Sequence, residues 1–312
     1  MLKAGIIGYK NHAKKIINHI KKKVSISHIF HPQKKLKLKI YTNNLKDLLQ
    51  LDCIFIACPS DYHFHYLNYF NKKKYQGYIF CEKPPVTKLN DLKKIKKFNY
   101  NKVYFNYNLR HSILAKYISN YKKLGKLISL NIYDSKPLIY KKNLTNNWRM
   151  NQKGTLISNN FIHYIDLIIF KNFKNLNFGE INVIKNKINH NLKIIDNICI
   201  IFKHCNIIYN ISLSYTNGLE KLYIFHFQNG KVEITDSLLK IYFPNKKLDV
   251  NKNFVKPKLY KKVKIKNIFK ESNSKSIGYF LNFVKKKTKF KKTCFQNSIN
   301  SNKIMLQLLK RI

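Results

Sequence analysis

Two short stretches hold residue types that could do chemistry. The first is Ile79-Phe80-Cys81-Glu82-Lys83-Pro84-Pro85-Val86, an apolar run stopped by a carboxylate, an amine and two prolines. Prolines cannot continue a ladder, so the run reads as a buried strand that delivers Glu82 and Lys83 to its carboxyl edge. In open α/β sheets that edge is where ligands sit. Taken alone, the segment fits a strand ending in a solvated lysine at least as well. The second stretch is Gly154 to Leu167, where Asn159, His163 and Asp166 are spaced by four and three residues and would share one helical face. Polar groups aligned among apolar neighbours need a partner or a task. Taken alone, a buried histidine satisfied by Asp166 meets that need.

Elements that could position these groups follow from the pattern around them. Lys3 to Gly8 is strand-like, and apolar residues at 13, 16, 17 and 20 mark one face of a helix over Tyr9 to Lys23. The turn between them could hold a dinucleotide fingerprint, with Gly8 and Ala13 in the first and third glycine places. Lys10 stands at the second place, so an ammonium would replace the close backbone approach to a pyrophosphate; an ordinary strand-helix turn fits as well. The second strand, Val24 to Phe30, ends at His31-Pro32-Gln33-Lys34-Lys35, with no acid to hold a ribose hydroxyl. His31, Lys34 and Lys35 therefore tilt the cofactor toward NADP over NAD, against a solvated loop as the alternative. Asp52 to Pro59 is a further buried strand, closed by Cys58-Pro59-Ser60. A helix is expected from there, with Ser60 as its N-cap and His63 in its first turn, capping or packing the helix or touching cofactor.

Helices are expected over Leu89–Phe98 and Ser112–Leu124, with a strand at Val103–Asn106 between them. Strand and helix thus alternate to about residue 120, which predicts a parallel, doubly wound sheet. Seven strand-like runs follow between Lys126 and Phe243, with Asn217-Gly218 and Asn229-Gly230 as hairpin turns. A large, mostly antiparallel open sheet is the expected core of this half. Residues 251–270 read as solvated strand and loop, and Ser276–Val284 and Ser298–Leu309 as closing helices. The expected division is a dinucleotide-binding Rossmann domain over 1–119 and an α+β domain over 120–312, closed by residues 276–312.

The 312 residues, 45% of them hydrophobic, suffice for two cores. The six cysteines form no CxxC pair and most lie in strand-like runs, so reduced buried thiols are expected and no metal site. No apolar run reaches the ~18 residues of a membrane span, and no signal-peptide pattern opens the chain. A cytoplasmic protein is expected, with no membrane partner. The net charge of +47 would suggest a polyanion partner. Yet only three of the 61 Lys and Arg are arginine, at 110, 149 and 311, and the lysines are spread along the chain. The abundant Lys, Asn, Ile, Tyr and Phe share A/T-rich codons, so nucleotide bias accounts for the charge and no specific nucleic-acid partner is expected.

The Glu82-Lys83-Pro84 after its strand, the Ala57-Cys58-Pro59-Ser60-Asp61-Tyr62-His63 before it, and the Gly154…Asn159-x-x-x-His163-x-x-Asp166 helix occur in an order that resembles the Gfo/Idh/MocA oxidoreductases, over nearly the whole chain. The resemblance implies a Rossmann domain for NAD or NADP, with Gly8, Lys10, Ala13, His31, Cys58, Pro59, Ser60, His63, Glu82 and Lys83 around the cofactor. It implies hydride transfer between nicotinamide and a carbinol or carbonyl carbon of a sugar, polyol or nucleotide sugar. A homo-oligomer is expected. Lys83 and His163 match the family's catalytic lysine and histidine, and Lys83, Arg110, Arg149, Asn159 and His163 its substrate contacts. Imidazole can take the hydroxyl proton near neutral pH, and a cationic lysine can stabilise the developing oxyanion. Lys10, Phe161 and Asn159 depart from the family pattern; Asn159 stands where many members have Asp, and Asp166 could orient the ring instead. A non-catalytic dinucleotide-binding protein of the same fold is the alternative these departures suggest.

Overall fold

The computed structural model describes residues 1–32, 37–118, 121–138, 154–172, 176, 180–189 and 194–312. Contacts divide the chain into two compact units, Met1–Asn108 with Ser272–Leu306, and Leu109–Glu271 with Gln307–Ile312. This differs from a single cut at 119/120, because most of the closing helices belong with the first unit.

In the first unit, strands β1 (Lys3–Ile7), β2 (Ser25–Phe30), β3 (Tyr41–Thr42), β4 (Cys53–Ile56), β5 (Tyr78–Cys81) and β6 (Val103–Phe105) form one sheet in the order β3-β2-β1-β4-β5-β6. Every pairing is parallel. Helices α1 (Asn11–Ile20), α2 (His63–Lys72) and α3 (Leu89–Ile95) supply the crossovers. β4 and β5 are buried throughout, as strands covered on both faces must be. The order reverses between β1 and β4, the switch point at which doubly wound sheets open a crevice. The helix expected over Ser112–Leu124 is a single turn, α4 (Leu114–Tyr117), in the second unit. From Tyr121 the chain folds back on itself, with Gly125 at φ +80° and its N–H on the Tyr121 carbonyl.

Two long helices follow the second sheet, α6 (Ile268–Lys286) and α7 (Lys292–Leu309). Ile277, Phe280, Leu281 and Val284 of α6 recur at helical spacing and join the core formed by Phe55, Phe80 and Tyr104 of the first sheet. Phe280 meets Phe55 and Phe80 edge-on, each at 5.3 Å. That apolar face explains why α6, from Ser272 onward, belongs with the first unit.

In the second unit, β7 (Leu127–Ser135), β8 (Asn182–Asn186), β9 (Asn197–His204), β10 (Ile207–Ser214), β11 (Glu220–Phe227), β12 (Gly230–Ile234), β13 (Leu238–Phe243) and β14 (Lys258–Lys264) form a sheet in the order β14-β13-β12-β11-β7-β10-β9-β8. It is antiparallel except for β10 against β7, so the large, mostly antiparallel sheet expected from sequence is present. One face is apolar and buried through Leu130, Ile132, Tyr209, Ile211, Tyr223 and Phe225, while Ile128 and Ile208 on the other are about half exposed. α5 (Ile162–Asn172), preceded by a π-helical turn at Ile157–Phe161, packs on the buried face through Tyr164, whose ring lies 6.0 Å from that of Tyr223. β14 is exposed along its whole length, as residues 251–270 predict.

Candidate functional site

The first unit presents a crevice built from β1, β4 and β5. Gly8 ends β1 at φ +100°, a conformation a side chain rarely adopts, and its N–H donates to the Phe30 carbonyl at 3.0 Å. A Cβ there would meet the Ala57 carbonyl oxygen at 3.0 Å and the Cys58 nitrogen at 3.1 Å, so glycine is what lets the ends of β1 and β4 approach. Ala13 is fully buried where α1 packs on the sheet, as the third fingerprint place requires. Lys10 is the N-cap of α1, extended and exposed, and its side chain caps nothing. The first turn of α1 contains no acidic residue, so its unsatisfied N–H groups keep their positive field.

Beside that turn lies a residue the sequence reading passed over. His12 Nε2 is 2.7 Å from Glu82 Oε1. Glu82, 8% exposed, also accepts from Asn106 Nδ2 at 2.7 Å. The Glu82 charge raises the pKa of His12, against burial and the charges of Lys83 and Lys15. Burial pushes Glu82 up, but His12, Asn106 and Lys83 outweigh it and hold its pKa below the ordinary glutamate value. Glu82 is thus a buried anchor that holds His12 beside the turn. A signal was present in the sequence: the imidazole falls in the fingerprint itself, at the second position of the helix.

His63 is also an internal residue, 1% exposed. Its Nδ1 lies 2.8 Å from the Pro84 carbonyl and its Nε2 3.0 Å from the Cys58 carbonyl, so the ring sits between the loop after β4 and the loop after β5 and, when neutral, donates to one of the two carbonyls. Burial lowers its pKa against the pull of those carbonyls. Both ring nitrogens face backbone, the packing role that the sequence offers beside a cofactor contact. Ser60 opens a 3-10 turn (Ser60–Tyr62) without capping it, since Pro59 takes the cap position. Cys58 and Pro59 are half-buried at the same edge, and burial pushes the Cys58 thiol up to about 12, which rules out a thiolate there at neutral pH.

Lys83 is half-buried at the carboxyl edge of β5 and joined to Pro84 by a cis peptide bond. The backbone on both sides of it is held. Glu82 precedes it, His63 meets the Pro84 carbonyl, and Asn302 of α7 pairs with both backbone groups of Val86, donating to its oxygen at 3.0 Å and accepting from its nitrogen at 3.2 Å. The asparagine lies 216 residues away, and no local pattern announces it. His31 is half-buried at the end of β2, where its carbonyl accepts from Tyr41; Lys34 and Lys35 lie outside the described residues.

The second unit carries the other stretch. Gly154, at φ +74°, opens the helix, and its carbonyl accepts from Ile157 and Ser158. The π turn changes the register, so the face expected for 159, 163 and 166 is divided. Asn159 donates to Thr155 Oγ1 at 2.7 Å. Asn160 is clamped between Asp134 Oδ2, at 3.0 Å, and Tyr215 Oη, which donates to it at 3.2 Å. Tyr164 also donates to Asp134, at 2.8 Å. Asp134 and Asn160, which fix the turn, carried no sequence signal because their partners lie on other elements. His163 is half-buried, its ring edge-on to Phe269 at 5.7 Å.

Asp166 accepts from Arg110 Nε at 2.7 Å and Nη2 at 2.6 Å, and the Arg110 guanidinium lies over the Phe170 ring. Both side chains are buried. Arg110, expected at the substrate, and Asp166, expected beside His163, are thus joined to each other in a bidentate pair. Arg149 lies outside the described residues. Among the described residues no group of three or more His, Cys, Asp or Glu could hold a metal ion, and no helix is long and apolar enough to cross a membrane.

A doubly wound parallel sheet with a glycine turn at its switch point and an uncapped helix beyond it defines a dinucleotide-binding unit. Comparison with known proteins agrees: residues 2–102 match the model of the Gfo/Idh/MocA oxidoreductase family with its NAD-binding Rossmann fold. No curated protein matches the chain in sequence. Among solved structures, its fold is shared with a Gfo/Idh/MocA family oxidoreductase from Vibrio cholerae, at TM-score 0.74 and 14% identity over 100% of this chain and 98% of that one. It is shared as well with myo-inositol 2-dehydrogenase from Lactobacillus plantarum, at 0.74 and 18% over 99% and 96%. An oxidoreductase from Agrobacterium radiobacter in complex with NAD+, L-tartaric acid and magnesium matches at 0.74 and 16% over 97% and 94%.

Proposed function

We propose that the chain is an NAD(P)-dependent oxidoreductase that moves a hydride between nicotinamide and a carbinol or carbonyl carbon of a sugar, polyol or nucleotide sugar. The observation that carries this reading is the family match over residues 2–102, which spans the glycine turn and the Lys83 loop together. The turn fits a dinucleotide: Gly8 keeps it open, and the uncapped end of α1 is suited to a diphosphate. The missing acid after β2, with His31 and the neighbouring lysines, favours NADP over NAD.

The nicotinamide supplies the hydride step. Lys83, on a loop held by Glu82, His63 and Asn302, stabilises the charge that develops on the substrate oxygen. His163 exchanges the hydroxyl proton, and Asn159 and Arg149 help hold the substrate. A homo-oligomer and a cytoplasmic setting complete the reading, the latter supported by six free thiols.

His163→Ala is expected to keep cofactor affinity and lose at least about a hundredfold in turnover, the usual share of a general acid-base group. A panel of sugars, myo-inositol and nucleotide sugars, followed by nicotinamide absorbance, measures it. Unchanged turnover in the variant would remove His163 from the chemistry. Lys10 and Asn159 favour a second reading, a non-catalytic dinucleotide-binding protein, which predicts cofactor binding with no turnover of any member of that panel.

A further inference from the structure

We propose that His12 is the side chain that reads the cofactor diphosphate in this protein, its ring N–H supplying the contact that Lys10 denies to the backbone. The proposal rests on the dinucleotide-binding reading above and names the group that recognises the phosphates.

Position comes first. His12 is the second residue of α1, in the turn whose N–H groups have no intrahelical acceptor, and neither a cap nor a carboxylate on that turn offsets their field. A glycine at position 10 would let the diphosphate come down onto the backbone, whereas Lys10 keeps it further out, within reach of side chains. Beside the exposed Lys10 ammonium, which caps nothing, the side chain held in a fixed direction there is His12, 47% exposed.

Orientation comes second. An exposed histidine ordinarily turns freely, but Nε2 is fixed at 2.7 Å from Glu82, and Glu82 is fixed by Asn106. Asn106 in turn accepts from Ser276 at 2.7 Å and donates to Asn273 at 3.0 Å, so α6 braces the whole row. With Nε2 engaged, Nδ1 is the remaining donor, and no hydrogen bond from it to a described residue is present. An aimed cationic N–H beside a helix N-terminus is suited to a phosphate oxygen.

Charge comes third. Glu82 is a buried carboxylate next to the place where the diphosphate would sit, and alone it would repel it. Protonated His12 cancels that charge. The charged groups facing the ring are Glu82 and Lys83 at the end of β5 and Lys15 on α1, and Glu82 is the largest influence among them. Lys10 and Lys14 lie on the same turn, Lys14 with its ammonium 5.0 Å from the centre of the Tyr9 ring. The imidazolium therefore persists above the ordinary histidine range and is lost as pH rises further.

The test is a titration of the full chain with NADH and, separately, NADPH across pH 6.5 to 9.5, followed by nicotinamide fluorescence. The diphosphate does not titrate in this range, so both cofactors are expected to weaken by about tenfold across the loss of the His12 proton, as one charge-assisted hydrogen bond requires. His12→Gln is expected to bind about tenfold more weakly than wild type at pH 6.5 and to lose the pH step. Glu82→Gln should move the step to lower pH, which a merely structural pair would not do. Thermal melts establish that each variant is folded. If His12→Gln binds like wild type with the same pH course, the proposal is overturned while the dinucleotide reading stands. A step seen with NADPH alone would assign it to the 2′-phosphate and also overturn the proposal. Failure of wild type to bind either cofactor at any pH overturns both.

Discussion

Arg110 and Asp166 set the energetic stakes at the scale of single residues. Two charges with side chains 3% and 1% exposed survive burial only because the pairing is bidentate and the guanidinium rests on Phe170. Arg110→Met leaves an uncompensated carboxylate and is expected to cost about 3–5 kcal/mol, measured by urea unfolding. Adding Asp166→Leu to it should restore most of that loss; a double variant as unstable as the single one would show that the pair is not what Arg110 contributes. Lys83 was legible in the sequence because prolines mark the end of its strand. The partners of Glu82, His63 and Asp166 were not, because each is a long-range contact and a residue type does not say which distant group will meet it.

At the scale of elements, β1 and α1 depend on Gly8. Gly8→Ala forces a side chain to φ +100° and 3.0 Å from the Ala57 oxygen, and is expected to destabilise by at least about 1 kcal/mol and to weaken dinucleotide binding. Retained affinity in a dye-free binding assay would contradict the role given to the turn. α6 closes the first unit with a ring buried on three sides, so Phe280→Ala should cost about 3–5 kcal/mol in chemical denaturation. The His12–Glu82 tie between α1 and β5 makes stability depend on pH in both directions. His12 is raised, so its contribution is present below the ordinary histidine value and lost as pH rises through the higher folded value. Glu82 is lowered, so its contribution is present above the ordinary glutamate value and lost as pH falls through the lower folded value. A melting temperature highest between those limits in wild type, and less dependent on alkaline pH in His12→Gln, is expected. The parallel sheet and the Asn229-Gly230 hairpin between β11 and β12 were readable because strand runs and Asn-Gly turns are local signals; the hairpin expected at Asn217-Gly218 is absent, because β7 lies between β10 and β11 and pairs with both. The π turn was not, because the groups that hold its Asn160, Asp134 on β7 and Tyr215 just past β10, lie far away in the sequence.

For the molecule as a whole, a net charge of +47 means strong self-repulsion. Added salt screens it within about 8–10 Å at physiological strength, so the melting temperature should rise between low and moderate ionic strength. A fall would mean that attractive pairs outweigh the repulsion. The family match covers residues 2–102, while the solved structures extend the shared fold over nearly all of the chain. In the function proposed above, the first unit holds a nicotinamide dinucleotide at the Gly8 turn. Titration of NADPH and NADH into wild type and Gly8→Ala, at neutral pH and fixed salt, tests it most directly. Saturable binding to wild type is expected, tighter for NADPH and clearly weaker in the variant; no saturable binding of either cofactor would contradict that role of the turn.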